Sequence, residues 1–250
     1  MKQNIFVIVL ILIGILIFQN PIYTKEEKSI LDRLMTFFGI TANPTMLKDD
    51  SVIERGDIWI VSLAKGSTPR QLTFNEFYRT PVFTPNGDSI LTLKNEKLLK
   101  IPIKNPKASI VLCTLPNVTK LISFHTTSKN ELLVLAYSPD NKIAPGVVYV
   151  DSGKYALLPN NNKIDQGKYQ RFLHYLRSWE RVYKDGKLKI YPKTLSKRSF
   201  SGNIEWTEIF IEIDKKPPRQ LTQCDKANCN QAVLSHDLLQ AVYVCSPLNH

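Results

Sequence analysis

Pro69-Arg70-Gln71-Leu72-Thr73 returns 149 residues later as Pro218-Arg219-Gln220-Leu221-Thr222. Each copy follows a short apolar run: Asp57-Ile58-Trp59-Ile60-Val61 before the first, Glu208-Ile209-Phe210-Ile211-Glu212-Ile213 before the second. Each is followed, after a polar gap, by two further runs of strand type. A segment that recurs with its flanks intact marks a structural unit copied along the chain.

Outward from these copies, the body of the chain reads as short strands joined by turns. Runs of Ile, Val, Leu and aromatics alternate with Gly, Pro, Asn and Asp from Gly56 onward. Pro81-Val82-Phe83, residues 89–93 and residues 97–103 follow the first copy as strands, with Asn86-Gly87 as a hairpin signal. This order resembles the TolB-type β-propeller repeat: an aromatic strand, a Ser-Pro-Asp-Gly turn, an aliphatic strand, an Ile-Trp strand, then Leu-Thr. Phe83-Thr84-Pro85-Asn86-Gly87 stands in for the turn, Asp57-Ile58-Trp59 for the third strand and Gln71-Leu72-Thr73 for the end. The second unit, continuing through Ala232-Val233-Leu234-Ser235 and residues 238–244, lacks the Pro and Gly. The resemblance implies an all-β propeller whose role is protein–protein contact.

At about 40–50 residues per blade, the interval between the copies corresponds to three blades. The body opens with the last two strands of a blade and closes with the first two. Pairing them seals a ring and leaves no open sheet edge. The expectation is a small four-bladed propeller over residues 52–250, its composite blade made from residues 53–73 and 223–250; the rival is an open or truncated arc of a family that usually has more blades. The third blade is ambiguous. Residues 165–183 read as strand-turn-strand by repeat context. They also read as a helix, because Tyr169, Phe172, Leu173, Leu176, Trp179 and Tyr183 fall at spacings of three and four.

Ahead of the body, residues 5–18 are apolar with Gly14 as the one small polar-neutral break, and Lys2 stands in front. The run has the length of a signal-peptide hydrophobic region rather than of a full span. No small-x-small cleavage site follows, so residues 1–23 are read as an uncleaved signal anchor rather than a removed peptide. Lys2 would stay on the cytoplasmic side and the body would be exported, to the periplasm or another extracytoplasmic space. Residues 24–51 read as an amphipathic helix, carrying Ile30, Leu31, Leu34, Met35, Phe37 and Phe38, followed by a linker.

Chemistry-bearing patterns are few. His125, His174, His236 and His250 are scattered and form no His-Glu-x-x-His pair, and there is neither a Gly-x-Ser-x-Gly elbow nor a phosphate loop. No catalytic residue, metal site or cofactor is assigned. Cys224 and Cys229 flank a four-residue loop and are expected to form a local disulfide in an oxidising compartment, with metal binding as the rival. Cys113 and Cys245 lie in apolar strands and are read as buried thiols. Four cysteines permit three pairings, among which the sequence does not choose.

The net charge is +11, and residues 163–198 hold eleven positive and three negative side chains, most of that excess. Tyr169, Tyr175, Trp179, Tyr183 and Tyr191 are interleaved with them. Arg and aromatics together suit acidic or sugar-bearing ligands, so Arg177, Trp179, Arg181, Tyr183 and Arg198 are the candidate ligand-binding residues. The rival reading is that the aromatics fill a blade and the charges are solvated. Export argues against nucleic acid as the partner. The leading functional expectation is an anchored, non-catalytic binding or scaffold module for a protein or an acidic envelope polymer. The alternative is a glycosidase- or lyase-like enzyme with a central-channel site.

Overall fold

The computed structural model describes residues 54–248, except 125–127, 158–172, 174–175, 200–201, 215 and 225–226. The signal anchor expected over 1–23 and the helix and linker over 24–51 lie outside the described residues. No helix among the described residues is long and apolar enough to cross a membrane.

The described strands form four antiparallel sheets of four strands each. The chain starts with β1 (Asp57–Ser62) and β2 (Arg70–Gln71). Blade 1 follows as β3 (Tyr78–Phe83), β4 (Ser89–Lys94), β5 (Lys97–Pro102) and β6 (Ile110–Thr114). Blade 2 is β7 (Val118–Phe124), β8 (Glu131–Tyr137), β9 (Ile143–Tyr149) and β10 (Lys154–Leu157). Blade 3 is β11 (Arg181–Tyr183), β12 (Leu188–Ser199), β13 (Gly202–Ile213) and β14 (Arg219–Gln220). Finally β15 (Ala227–Leu234) and β16 (Gln240–Pro247) join β1 and β2 in the order β15-β16-β1-β2. The protein is a four-bladed β-propeller. Its fourth blade is the expected composite, sealed where Trp59 pairs with Tyr243 and Ile60 with Val242.

Second strands such as β4 and β8 are buried along nearly their whole length, because neighbouring blades cover both faces. Their sequences are accordingly near-continuous apolar runs rather than alternating ones. The apolar core divides at the seams between blades. Ile58, Phe83, Ile90 and Val242 join blades 4 and 1. Val82, Leu98, Leu121 and Val134 join blades 1 and 2. Ile190, Ile209, Leu234 and Tyr243 join blades 3 and 4.

Three residues of the repeated pentapeptide, Arg, Leu and Thr, make the same contacts in both copies. Each Arg reaches across a seam to the carbonyl just past the third strand of the next blade. Arg70 Nη2 donates to Ile103 O at 3.1 Å, and Arg219 Nη2 to Leu63 O at 2.6 Å. Each Leu is buried and donates its N–H to the strand beside it, Leu72 to Ile58 O and Leu221 to Ile209 O, both at 2.8 Å. Each Thr hydroxyl accepts the N–H of that same Ile at 2.9 Å. It also donates to the acidic residue before it, Thr73 to Asp57 at 3.2 Å and Thr222 to Glu208 at 2.5 Å.

The start of blade 3 departs from the repeat. Leu173, Leu176 and Arg177 have helical backbone, so the strand-turn-strand reading is corrected for the described part of 165–183, where Arg181–Tyr183 alone is strand. The apolar 3–4 spacing decided the outcome. Leu173 and Leu176 are buried on that helical backbone, and Trp179 is buried just after it. Lys120 on β7 ties this segment to blade 2. Its Nζ donates to the carbonyls of Arg177 and Ser178, at 2.6 and 2.8 Å, and lies 3.4 Å from the centroid of the Trp179 ring. A cation suits the carbonyls left without a helical partner at a helix end and the face of an indole. Lys120 is only 2% exposed, so Lys120→Met keeps the stem but strips two buried carbonyls of their donor. The expected loss is about 2–4 kcal/mol, read by urea titration as a lower midpoint with an unchanged slope.

Candidate functional site

The acidic residue at the head of each repeat does more than hold its own blade. Asp57 also accepts the backbone N–H groups of Asn75 and Glu76, at 3.1 and 3.0 Å. Glu208 accepts the N–H of Cys224 at 2.6 Å and the indole N–H of Trp206 at 2.9 Å. The two carboxylates therefore fix the loops that leave their blades. Glu208 is fully buried. Burial raises the Asp57 carboxyl above its ordinary range, opposed by the hydrogen bonds from Asn75, Thr73 and Gln71. Burial also pushes the Tyr243 hydroxyl well up, with the nearby Glu208 charge adding to it.

The loop held by Asp57 presents Phe74 and Phe77, 66% and 65% exposed. Asn75 between them has a φ of 55°, and Glu76 pairs with Lys94. The loop held by Glu208 presents Cys224 at one end of a cleft of about 860 Å³ between blades 3 and 4. Lys65 and Arg219 supply positive charge to its wall, and Trp59, Tyr243 and Cys245 also line it.

Three cysteines meet there. Cys229 faces Cys245 directly across the β15–β16 pairing, with Cα atoms 4.4 Å apart. Cys224 and Cys229 have Cα atoms 6.3 Å apart. Both separations lie in the range a disulfide accepts. The Sγ atoms of Cys224 and Cys245 are 3.4 Å apart, and all three sulfurs lie within 4.8 Å of one another. The expected Cys224–Cys229 partnership is thus geometrically available. The reading of Cys245 as a buried thiol is corrected: it is half-buried, and strand register, which the sequence left open, brings it to the same pair. Cys113 is free and half-buried rather than buried, and burial raises its thiol pKa.

The five residues singled out in the basic stretch separate. Trp179 and Arg181 are 2% and 5% exposed, inside the joint between blades 2 and 3. The Arg181 guanidinium donates to the carbonyls of Ser178 and Glu180. Tyr183 accepts the N–H of Leu234 at 3.1 Å with its hydroxyl, tying blade 3 to blade 4. Arg177 is half-buried beside them. Arg198 is exposed on β12, eight residues beyond the Arg181 partner Ile190, about 26 Å along the strand. Trp179, Arg181 and Tyr183 serve as internal ties, and Arg198 stands apart from them. Sequence reasoning missed the paired loops. The signal available for them was an acidic residue immediately before Ile in both copies, Asp57-Ile58 and Glu208-Ile209.

No family model and no curated protein matches the chain. Among solved structures it is similar to the putative TolB from Agrobacterium tumefaciens, at 14% identity and a TM-score of 0.38, covering 74% of this chain and 60% of that one. It is similar to TolB from Acinetobacter baumannii, at 12% identity and a TM-score of 0.36, covering 81% and 66%. It is similar as well to the β-propeller domain of the Trilobed protease from Pyrococcus furiosus, at 13% identity and a TM-score of 0.30, covering 72% and 53%. The chain thus spans less than two thirds of each of these structures. The strand pairing by itself defines the four-bladed architecture.

Proposed function

We propose that the chain is an exported, membrane-anchored propeller that serves as a non-catalytic binding or scaffold module for a protein partner. The observation that carries this is the Phe74–Phe77 loop. Two aromatic side chains stand in solvent on a backbone fixed by two hydrogen bonds to Asp57. Rigid exposed aromatics are what a protein interface uses as anchors, because little conformational entropy is lost when they are covered. The apolar run at residues 5–18 supports export and anchoring, as do the clustered cysteines. On the inner side of the ring, buried Gln231 bridges the Thr80 N–H and the Glu54 carbonyl, each at 2.6 Å.

The test is Phe74→Ser with Phe77→Ser in the full chain, cross-linked in its native membrane and affinity-purified. The expected result is a defined adduct with the parent protein that falls at least tenfold in the double variant, with the melting curve unchanged. An adduct of equal yield from both proteins would refute the role of this loop.

A further inference from the structure

We propose that Cys224, Cys229 and Cys245 form a thiol–disulfide exchange site that opens on the cleft between blades 3 and 4. Its substrate class is a small peptide disulfide of the glutathione type. The proposal does not rest on the docking role above, which uses a different loop.

The geometry makes Cys229 the shared partner. It is fully buried, at the inner end of the cluster, and lies at disulfide separation from both neighbours. Cys224 and Cys245 are half-buried and line the cleft. Three cysteines hold one disulfide and leave one sulfur over. Whenever Cys229 is in the bond, the sulfur left over is Cys224 or Cys245, and either one faces the cleft. A thiol beside a disulfide that it can attack, with access from solvent, is the arrangement that exchange requires.

The internal step is redox-neutral. The Cys245 thiolate attacks Cys229 Sγ, the Cys229–Cys245 bond forms, the Cys224–Cys229 bond breaks, and Cys224 leaves as a thiolate that takes up a proton. The external step is equally balanced. The cleft-facing thiolate attacks one sulfur of the peptide disulfide, a mixed disulfide forms, and the other half departs as a thiol after protonation. Lys65 and Arg219 in the cleft wall favour a thiolate and the carboxylates of such a peptide. The two linkages differ in what they hold. Cys224–Cys229 anchors the loop after β14, whereas Cys229–Cys245 staples β15 to β16. Exchange therefore shifts the constraint between loop and blade.

The experiment uses the full chain in detergent with Cys113→Ser, so that the remote thiol is silent. Alkylation of free thiols, digestion without reductant and mass spectrometry should find both the Cys224–Cys229 and the Cys229–Cys245 linkages. Incubation with glutathione disulfide should add one glutathione, mapped to Cys224 or Cys245. Cys224→Ser and Cys245→Ser should each reduce that adduct at least tenfold, because the remaining pair closes on itself. An adduct on Cys229, a Cys224–Cys245 linkage alone, or three reduced thiols holding a stoichiometric soft metal ion would each overturn the proposal. The linkage mapping is made on the cluster-intact chain, so it decides even if a serine variant fails to fold.

Discussion

Gly56→Ala is expected to unfold the protein at a markedly lower temperature, by breaking the seam of blade 4. Gly56 lies just before β1 and exchanges backbone hydrogen bonds with Tyr78 at 3.0 and 2.9 Å. A methyl group there would stand 2.0 Å from the carbonyl oxygen of Cys245 and 2.5 Å from its carbon. Those are backbone atoms, so no side-chain rotation relieves the contact. Either β1 leaves β16 or Gly56 leaves Tyr78. The cost is about 3 kcal/mol or more, the upper range for overpacking, which for a chain of this size corresponds to about 6–12 °C by calorimetry. Gly66→Ala is the control. Gly66 has a φ of 81° and open space around it, so it bears conformational strain alone. Its cost should be about 1 kcal/mol. Equal shifts for the two variants would show that the seam is not the weak point.

Glu208→Ala is the second large effect. The carboxylate is fully buried and receives donors from Thr222, Cys224 and Trp206. Truncation leaves three donors facing a void, at a cost of about 3–5 kcal/mol. Asp57→Ala removes the same clasp from the other copy, but Asp57 is only partly buried and its donors can turn to water. That variant should lose about 1–2 kcal/mol. Glu208→Gln should fall between, since an amide keeps one acceptor but turns an N–H₂ toward groups that are themselves donors. The order of chemical-denaturation midpoints, with Glu208→Ala lowest, is the check. A ranking with Asp57→Ala below Glu208→Ala would show that burial does not set the strength of the clasp.

The ring was legible because its evidence is one-dimensional. The pentapeptide and its spacing count blades, and strand-type runs at both ends of the body predict the composite that β15, β16, β1 and β2 form. The clasp was harder to see. Its acidic residues are 151 apart while its threonines are 149 apart, and one is Asp where the other is Glu. Only the fold shows that the shorter intervening loop and the longer side chain reach equivalent places. Cys245 was hidden for a related reason. Its partnership follows from the register that sets it opposite Cys229, and register depends on a turn, residues 235–239, whose geometry is not written in apolar periodicity. In blade 3 two periods competed. The spacing of Leu173 and Leu176, both buried on helical backbone, outweighed the repeat context, and Trp179 is buried just beyond them. The basic residues around them were visible as charge, but charge alone does not say which guanidinium turns inward to meet carbonyls.

The seam between β1 and β16 also sets a timetable. During synthesis β1 emerges early, yet Trp59 must wait for Tyr243, 184 residues further on, before its strand has a partner on that side. Contacts of such separation are slow to form, and until they do the apolar edge of β1 is open to other chains. A nascent propeller of this design is therefore most exposed to aggregation just before its last hairpin arrives, which makes that interval the natural moment for a chaperone to be bound.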